Sequence, residues 1–177
     1  MRPNPTGVER TFEDEEIIVS KTDLRGQITY ANEVFVRVSG YLEDELIGKP
    51  HSILRHPAMP RCVFKLLWDT LEARSEVFAY VLNLAKNGDH YWVLAHVTPT
   101  FGADGQPIGY HSSRRKPENG TVDKIVPLYE RLLAEEQRQP TKWQEIDAST
   151  TLLTAALAEA GVAYDEFVFS LASPASG

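Results

Sequence analysis

Three strand-like segments follow one another in the middle of the chain, at residues 77–85, 90–98 and 107–115. Each is rich in apolar, β-branched or aromatic residues, a composition typical of strands. The first two are separated by Lys86-Asn87-Gly88-Asp89, where an Asn-Gly pair tolerates positive φ at both central positions of a hairpin turn. A Gly- and Asp-containing turn separates the second from the third. This order predicts a three-stranded antiparallel meander.

The first of these segments is apolar on both faces that a strand presents. Because side chains alternate along a strand, its residues divide into two sets. One set is Val77, Ala79, Val81 and Asn83, and the other is Phe78, Tyr80, Leu82 and Leu84. A sheet with one face in water would show polar residues there, so we expect helices, a partner subunit or both to cover the second face. Asn83 suits either contact with a ligand or a hydrogen-bonded amide at a strand end.

The chain before the meander predicts two more strands and several short helices. Apolar runs at residues 17–22 and 26–30 resemble a hairpin. Asn32 is a suitable cap for a helix over residues 33–40, and residues 42–47 form a second short helix. The layout is α+β, with a five-stranded antiparallel sheet and short helices on one face.

Residues 48–61, GKPHSILRHPAMPR, are called here the connecting segment. Its prolines resist regular structure, and irregular loops on a rigid scaffold are where binding residues tend to lie. A solvated basic turn is the alternative interpretation. A long amphipathic helix is predicted from Pro60 onward. Its apolar face consists of Phe64, Leu67, Trp68 and Leu71, at positions i, i+3, i+4 and i+7.

The composition limits the classes of function. A net charge of −7 and a pI near 5.2 argue against nucleic-acid binding, which needs a basic patch. The single cysteine, Cys62, excludes an internal disulfide and suits a small buried thiol. No apolar run has signal-peptide or membrane-spanning length, so we expect a cytoplasmic protein without a membrane segment. No nucleophile–base pair, paired carboxylates or phosphate loop stands out, so we do not expect an enzyme.

Three regions are expected along the chain. Residues 1–14 are a flexible leader or a packed cap, residues 15–118 form the core domain, and residues 119–177 form a helical extension. Apolar residues recur at helical spacing on both sides of Pro140. These helices suit three roles: covering the second sheet face, packing on each other, or pairing with a partner. The tail, residues 172–177, is disordered by composition.

Several short motifs in the core share a family pattern. The more general ones are Asp23-Leu24-Arg25-Gly26-Gln27-Ile28 and Ser39-Gly40-Tyr41, and the more specific ones are Arg55-His56-Pro57 and Lys86-Asn87-Gly88-Asp89-His90-Tyr91-Trp92. Together they resemble the PAS domains of the bacterial aerotaxis-receptor (Aer-like) family, over about residues 15–135. The resemblance implies that the core is a PAS sensor domain.

The resemblance also implies a function. It implies non-covalent binding of flavin adenine dinucleotide (FAD) between helices and sheet, and signalling of redox or oxygen status to a partner such as a chemoreceptor or kinase, with a homodimer expected. The family's flavin-supporting positions fall on His51, Arg55, His56 and Asn83. Trp68 and Trp92 are candidate aromatic walls for the flavin, with a role in the core as the alternative.

Two positions depart from the family motif, since Ala58 replaces an acidic residue and Val77 replaces a tryptophan. They favour a second hypothesis, a ligand-free PAS module for protein–protein interaction or dimerisation. A haem-binding gas sensor is a third, with His56 as the best axial ligand. The Asn-Cys-Arg-Phe motif of light-sensing LOV domains is absent, so we expect no flavin adduct at Cys62.

Overall fold

A computed structural model describes residues 3–172. It contains one antiparallel sheet of five strands in the order β2-β1-β5-β4-β3, which confirms the predicted α+β class and strand number. The strands are β1 Ile18–Thr22, β2 Ile28–Ala31, β3 Val77–Leu84, β4 His90–Phe101 and β5 Pro107–Arg115. The predicted meander is present, because β4 pairs with β3 on one side and β5 on the other.

Short helices link the first hairpin to the meander. They are α1 Glu33–Ser39, α2 Glu43–Leu46, a 3-10 turn His51–Leu54, and α3 Arg61–Glu72. The side chain of Asn32 accepts a hydrogen bond from the backbone N–H of Phe35 at 3.0 Å, and Gly40 ends α1 with φ +73°. The predicted cap is therefore confirmed, and the left-handed end requires glycine.

The hairpin turn between β3 and β4 differs from the expected one. Gly88 has φ +94°, but Asn87 does not have positive φ. The loop holds one residue more than a two-residue hairpin, so a single left-handed position completes it. A side chain at position 88 would also meet the backbone oxygen of Asn4 at 2.1 Å, so glycine is required on two grounds.

The N-terminal residues from position 3 pack against this hairpin. The backbone N–H of Thr6 bonds to the oxygen of Gly88 at 2.9 Å, and the N–H of Arg10 bonds to that of His90 at 2.7 Å. Phe12 is buried in the core. The described residues 6–12 therefore contact both the hairpin and the core.

The C-terminal helices are α4 Thr121–Gln137, α5 Lys142–Ala160 and α6 Tyr164–Ala172. The ring of Tyr129 in α4 lies 6.2 Å from that of Trp92, and Phe169 in α6 lies 4.7 Å from Phe78. These contacts fall on the outer face of the sheet, so the helices cover the second apolar face. No helix within residues 3–172 is both long and apolar enough to cross a membrane. The predicted disordered tail lies, from residue 173, outside the described residues.

Candidate functional site

A cavity of about 350 Å³ lies between the inner face of the sheet and the helices packed on it. Its sheet residues alternate along their strands, as the predicted faces of β3 require for Val81 and Asn83. The rest of the wall comes from the β1–β2 turn, the connecting segment and α3. The wall residues are Ser20, Thr22, Arg25, Gly26, Pro50, His51, Ser52, Arg55, Phe64, Leu67, Trp68, Leu71, Val81, Asn83, Ala95, Val97, Tyr110, Ser112 and Arg114.

Four of the six predicted cofactor-binding residues line this cavity: His51, Arg55, Trp68 and Asn83. The connecting segment runs along the free edge of the sheet, where the backbones of Arg55 and Asn83 form an antiparallel bridge. The Arg55 guanidinium lies 3.8 Å from the ring centroid of Phe64, a cation–π contact with α3. The structure therefore brings residues from three distant parts of the chain to one wall.

Trp68 forms the aromatic part of the wall near the β1–β2 turn. Its ring meets that of Tyr110 edge to face, at 5.4 Å between centroids. A side chain at Gly26 would lie 3.2 Å from the Trp68 ring, and Gly26 has φ +76°. Only glycine fits both this backbone conformation and the close approach of the indole.

The other two predicted residues, His56 and Trp92, are absent from the cavity wall. The Nδ1 atom of His56 accepts a hydrogen bond from the backbone N–H of Ala58 at 3.1 Å, and its ring lies 6.0 Å from that of His90. Burial lowers the pKa of His56, and the neighbouring His90 lowers it further. Trp92 faces the opposite side of the sheet, against Tyr129. The structure thus gives Trp92 the alternative role in the core.

Neither of the two departures from the family motif lies on the cavity wall. Ala58 is exposed, and Val77 is buried at the start of β3 without reaching the wall. Val77 pairs with the wall residue Val97 and therefore lies next to the cavity. Cys62 is buried in the first turn of α3 and does not line the cavity either. Burial raises the pKa of its thiol to about 11, which fits the predicted small buried thiol.

Sequence analysis did not identify Arg114, whose side chain is buried at the β5 wall. Its Nη2 donates to the hydroxyl of Ser20 at 2.6 Å, and that oxygen lies 3.1 Å from Nε2 of His51. Burial and the charge of Arg114 lower the pKa of His51 to about 3, so this imidazole is neutral. The missed signal is the alternation of β5, which places Tyr110, Ser112 and Arg114 on one face.

The chain is similar in sequence and in fold to known proteins. Residues 28–114 match the PAS fold family. The chain is 42% identical to the aerotaxis receptor of Escherichia coli K12 over 121 residues, which is 68% of this chain and 24% of the receptor. It is 31% identical to a blue-light-activated histidine kinase of Brucella anthropi over 121 residues, covering 67% of this chain and 25% of the kinase. It therefore spans about a quarter of the length of these relatives.

The fold also matches solved structures. One is a light-oxygen-voltage (LOV) domain studied with a flavin analogue, with a TM-score of 0.54 and 21% identity over 70% of this chain and 87% of that domain. At this identity the match concerns the fold alone.

Proposed function

Because this chain belongs to the PAS domain family, related to the aerotaxis receptor, we propose that it is a sensory module that binds FAD non-covalently in the cavity. Its C-terminal helices would pass redox or oxygen status to a partner protein, of the chemoreceptor or kinase class. The proposed module senses and does not catalyse. A homodimer is part of the proposal.

The observation that carries this proposal is the chemistry of the residues that line the cavity. Phe64, Trp68 and Tyr110 supply aromatic surface, and His51 and Asn83 supply polar groups. Ligand pockets of roughly 300–1,000 Å³ combine apolar walls with a few polar groups in this way. A flavin ring is flat and apolar with carbonyl and nitrogen atoms at its edge, so these residues fit it. When bound, the flavin would supply reversible electron uptake.

Arg114 provides a second test of the fit. Its Nε and Nη1 atoms have no hydrogen-bond partner among the described residues, although both are buried. Buried donors without partners are costly, and a ligand rich in acceptor atoms would supply partners.

Helix α3 offers a route from the cavity to the C-terminal helices. One face of α3 lines the cavity through Phe64 and Trp68. Its first turn is held by α4, because Oε1 of Glu136 accepts from the backbone N–H groups of Arg61 at 2.7 Å and Cys62 at 3.3 Å. A displacement of α3 would therefore act directly on α4 through these two hydrogen bonds.

The haem hypothesis has a weaker basis in the structure. Of the histidines in the described chain, His51 alone lines the cavity, and His56, the expected axial ligand, does not. The Nε2 atom of His51 is engaged with the hydroxyl of Ser20. A ligand-free interaction module remains the main competing hypothesis, and the spectrum of the protein separates the three.

The deciding experiment is the visible absorption spectrum of the purified protein, followed by identification of the cofactor released on denaturation. We expect a flavin spectrum and FAD. Asn83→Leu should reduce flavin content, whereas Asn87→Leu, at the exposed hairpin turn, should leave it unchanged. A Soret band, or a colourless protein that takes up no added FAD, would contradict the proposal.

A further inference from the structure

Arg114 is a buried cation without an anionic partner. Its side chain lies at the cavity wall, and only 2% of the residue is exposed. Within residues 3–172 no carboxylate forms an ion pair with it. Its guanidinium lies 4.5 Å from the ring centroid of Phe35, and its Nη2 donates a hydrogen bond to the neutral hydroxyl of Ser20. Buried charges in proteins are normally paired, so this arrangement requires an explanation.

The groups around Arg114 leave its charge uncompensated. Burial lowers the pKa of Arg114 to about 10, which still keeps the guanidinium charged at neutral pH. The Ser20 oxygen accepts from Arg114, so its own hydrogen is available to Nε2 of His51, which then keeps its proton on Nδ1. Burial raises the pKa of the Tyr91 hydroxyl, which therefore stays neutral. The β1–β5 end of the cavity thus carries one net positive charge.

We propose that Arg114 is the redox-tuning residue of the cavity, a buried positive subsite that stabilises the reduced, more negatively charged form of the bound ring. This inference rests on the proposed binding of FAD. A flavin that takes two electrons and one proton from a reductant gains one negative charge, so a nearby cation favours reduction. A buried cation acts strongly because water does not screen it.

The test is the reduction potential of the bound flavin, measured by equilibration with a redox dye during reduction with dithionite. Arg114→Gln should weaken binding of the reduced form relative to the oxidised form by at least tenfold, which is about 30 mV for a two-electron couple. Arg114→Lys retains the charge and should stay closer to the wild type. The matched control is Arg115→Gln, the same change at the next residue of β5, which is exposed and is not part of the cavity wall, so the shift should be small.

A second measurement does not depend on flavin. Replacing an unpaired buried charge removes a desolvation cost, so Arg114→Gln should raise the melting temperature of the ligand-free protein by about 2–4 °C. A wild type that binds no flavin would overturn the proposed function. A wild type that binds flavin, with the same potential in Arg114→Gln, would overturn this inference alone. A lower melting temperature in ligand-free Arg114→Gln would also overturn it, since Arg114 would then be a structural residue.

Discussion

His51 and His56 lie in the same connecting segment but have different surroundings. His51 lines the cavity, stacks on Phe35 with 6.0 Å between centroids, and contacts the hydroxyl of Ser20. His56 holds the backbone of its own segment through Ala58 and faces His90. The two imidazoles therefore have separate roles, although the family resemblance assigns both to the flavin.

The first prediction compares alanine variants of these two histidines. His51→Ala removes a polar group from the cavity wall, so it should weaken FAD binding about tenfold, the effect of losing one hydrogen bond to a buried ligand. His56→Ala should leave the FAD dissociation constant within about twofold, while destabilising the fold slightly. Fluorescence titration of flavin-free protein measures both constants. Equal losses in the two variants would contradict the assignment.

The second prediction concerns acid stability. The pKa of His51 is lowered from 6.5 to about 3, and burial also lowers the pKa values of His56 and His111. Below pH 6.5 the unfolded chain binds protons at these residues before the folded chain does, so stability falls as pH decreases. Each histidine that stays neutral in the folded protein contributes up to about 1.4 kcal/mol per pH unit to this decrease in unfolding free energy.

Urea unfolding of the ligand-free protein between pH 6.5 and 5 measures this effect. His51→Gln, which keeps an acceptor for Ser20, should reduce the slope of unfolding free energy against pH. His96→Gln is the control, since His96 is paired with Glu76 at 2.6 Å on the surface. A slope that is unchanged in His51→Gln would contradict a buried neutral imidazole.

At the scale of elements, α3 contacts both the cavity and the C-terminal helices. Its cavity face carries Trp68, and its opposite side packs against α5. Its first turn has no side-chain cap of its own, and Glu136 of α4 supplies the acceptor from elsewhere in the chain. Ser149 of α5 also donates to Glu136, at 2.8 Å. Three helices therefore meet at one buried carboxylate.

The third prediction is that Glu136 fixes this junction. Glu136→Ala leaves the backbone N–H groups of Arg61 and Cys62 without their acceptor and should lower the unfolding free energy by about 1–3 kcal/mol. Glu136→Gln retains an oxygen acceptor and should cost less. Glu135→Ala, at the neighbouring surface position, should change stability by no more than about 0.5 kcal/mol. Chemical denaturation of the four proteins gives the order, and equal losses in the 135 and 136 variants would contradict a capping role.

At the scale of the molecule, the sequence predicts which residues of a strand share a face, because this depends on periodicity alone. It does not predict the features that depend on strand register or on the path of a loop. The alternation of β3 correctly placed Asn83 and Phe78 on opposite faces of the sheet. Both roles of Trp92, flavin wall and core, stayed open because its face depends on pairing with Leu82, which the turn length determines. His56 lies in a loop without periodicity, so no pattern indicated its direction. Arg114 was not identified from the sequence, because arginine is rarely buried without a partner.

The C-terminal helices allow a test of the whole architecture. If they chiefly cover the sheet, removing residues 119–177 exposes Phe78, Tyr80 and Trp92, and an uncovered apolar face drives association. If they chiefly hold two copies together, the same deletion converts a dimer to a monomer. The structure favours the role of covering the sheet, because Tyr129 donates a 2.6 Å hydrogen bond to the backbone oxygen of Tyr80 and its ring stacks on Trp92.

The fourth prediction is therefore that the truncated chain either forms larger assemblies than the full chain or loses its fold. Light scattering after size-exclusion chromatography measures the mass of each. Trp143→Ala in the full chain is the control, because Trp143 is 76% exposed and its loss should leave mass and stability unchanged. A stable monomer after truncation of a dimeric full chain would assign the helices to dimerisation. In that case the outer face of the sheet would be exposed to water, and exposure of its three aromatic residues is energetically unfavourable.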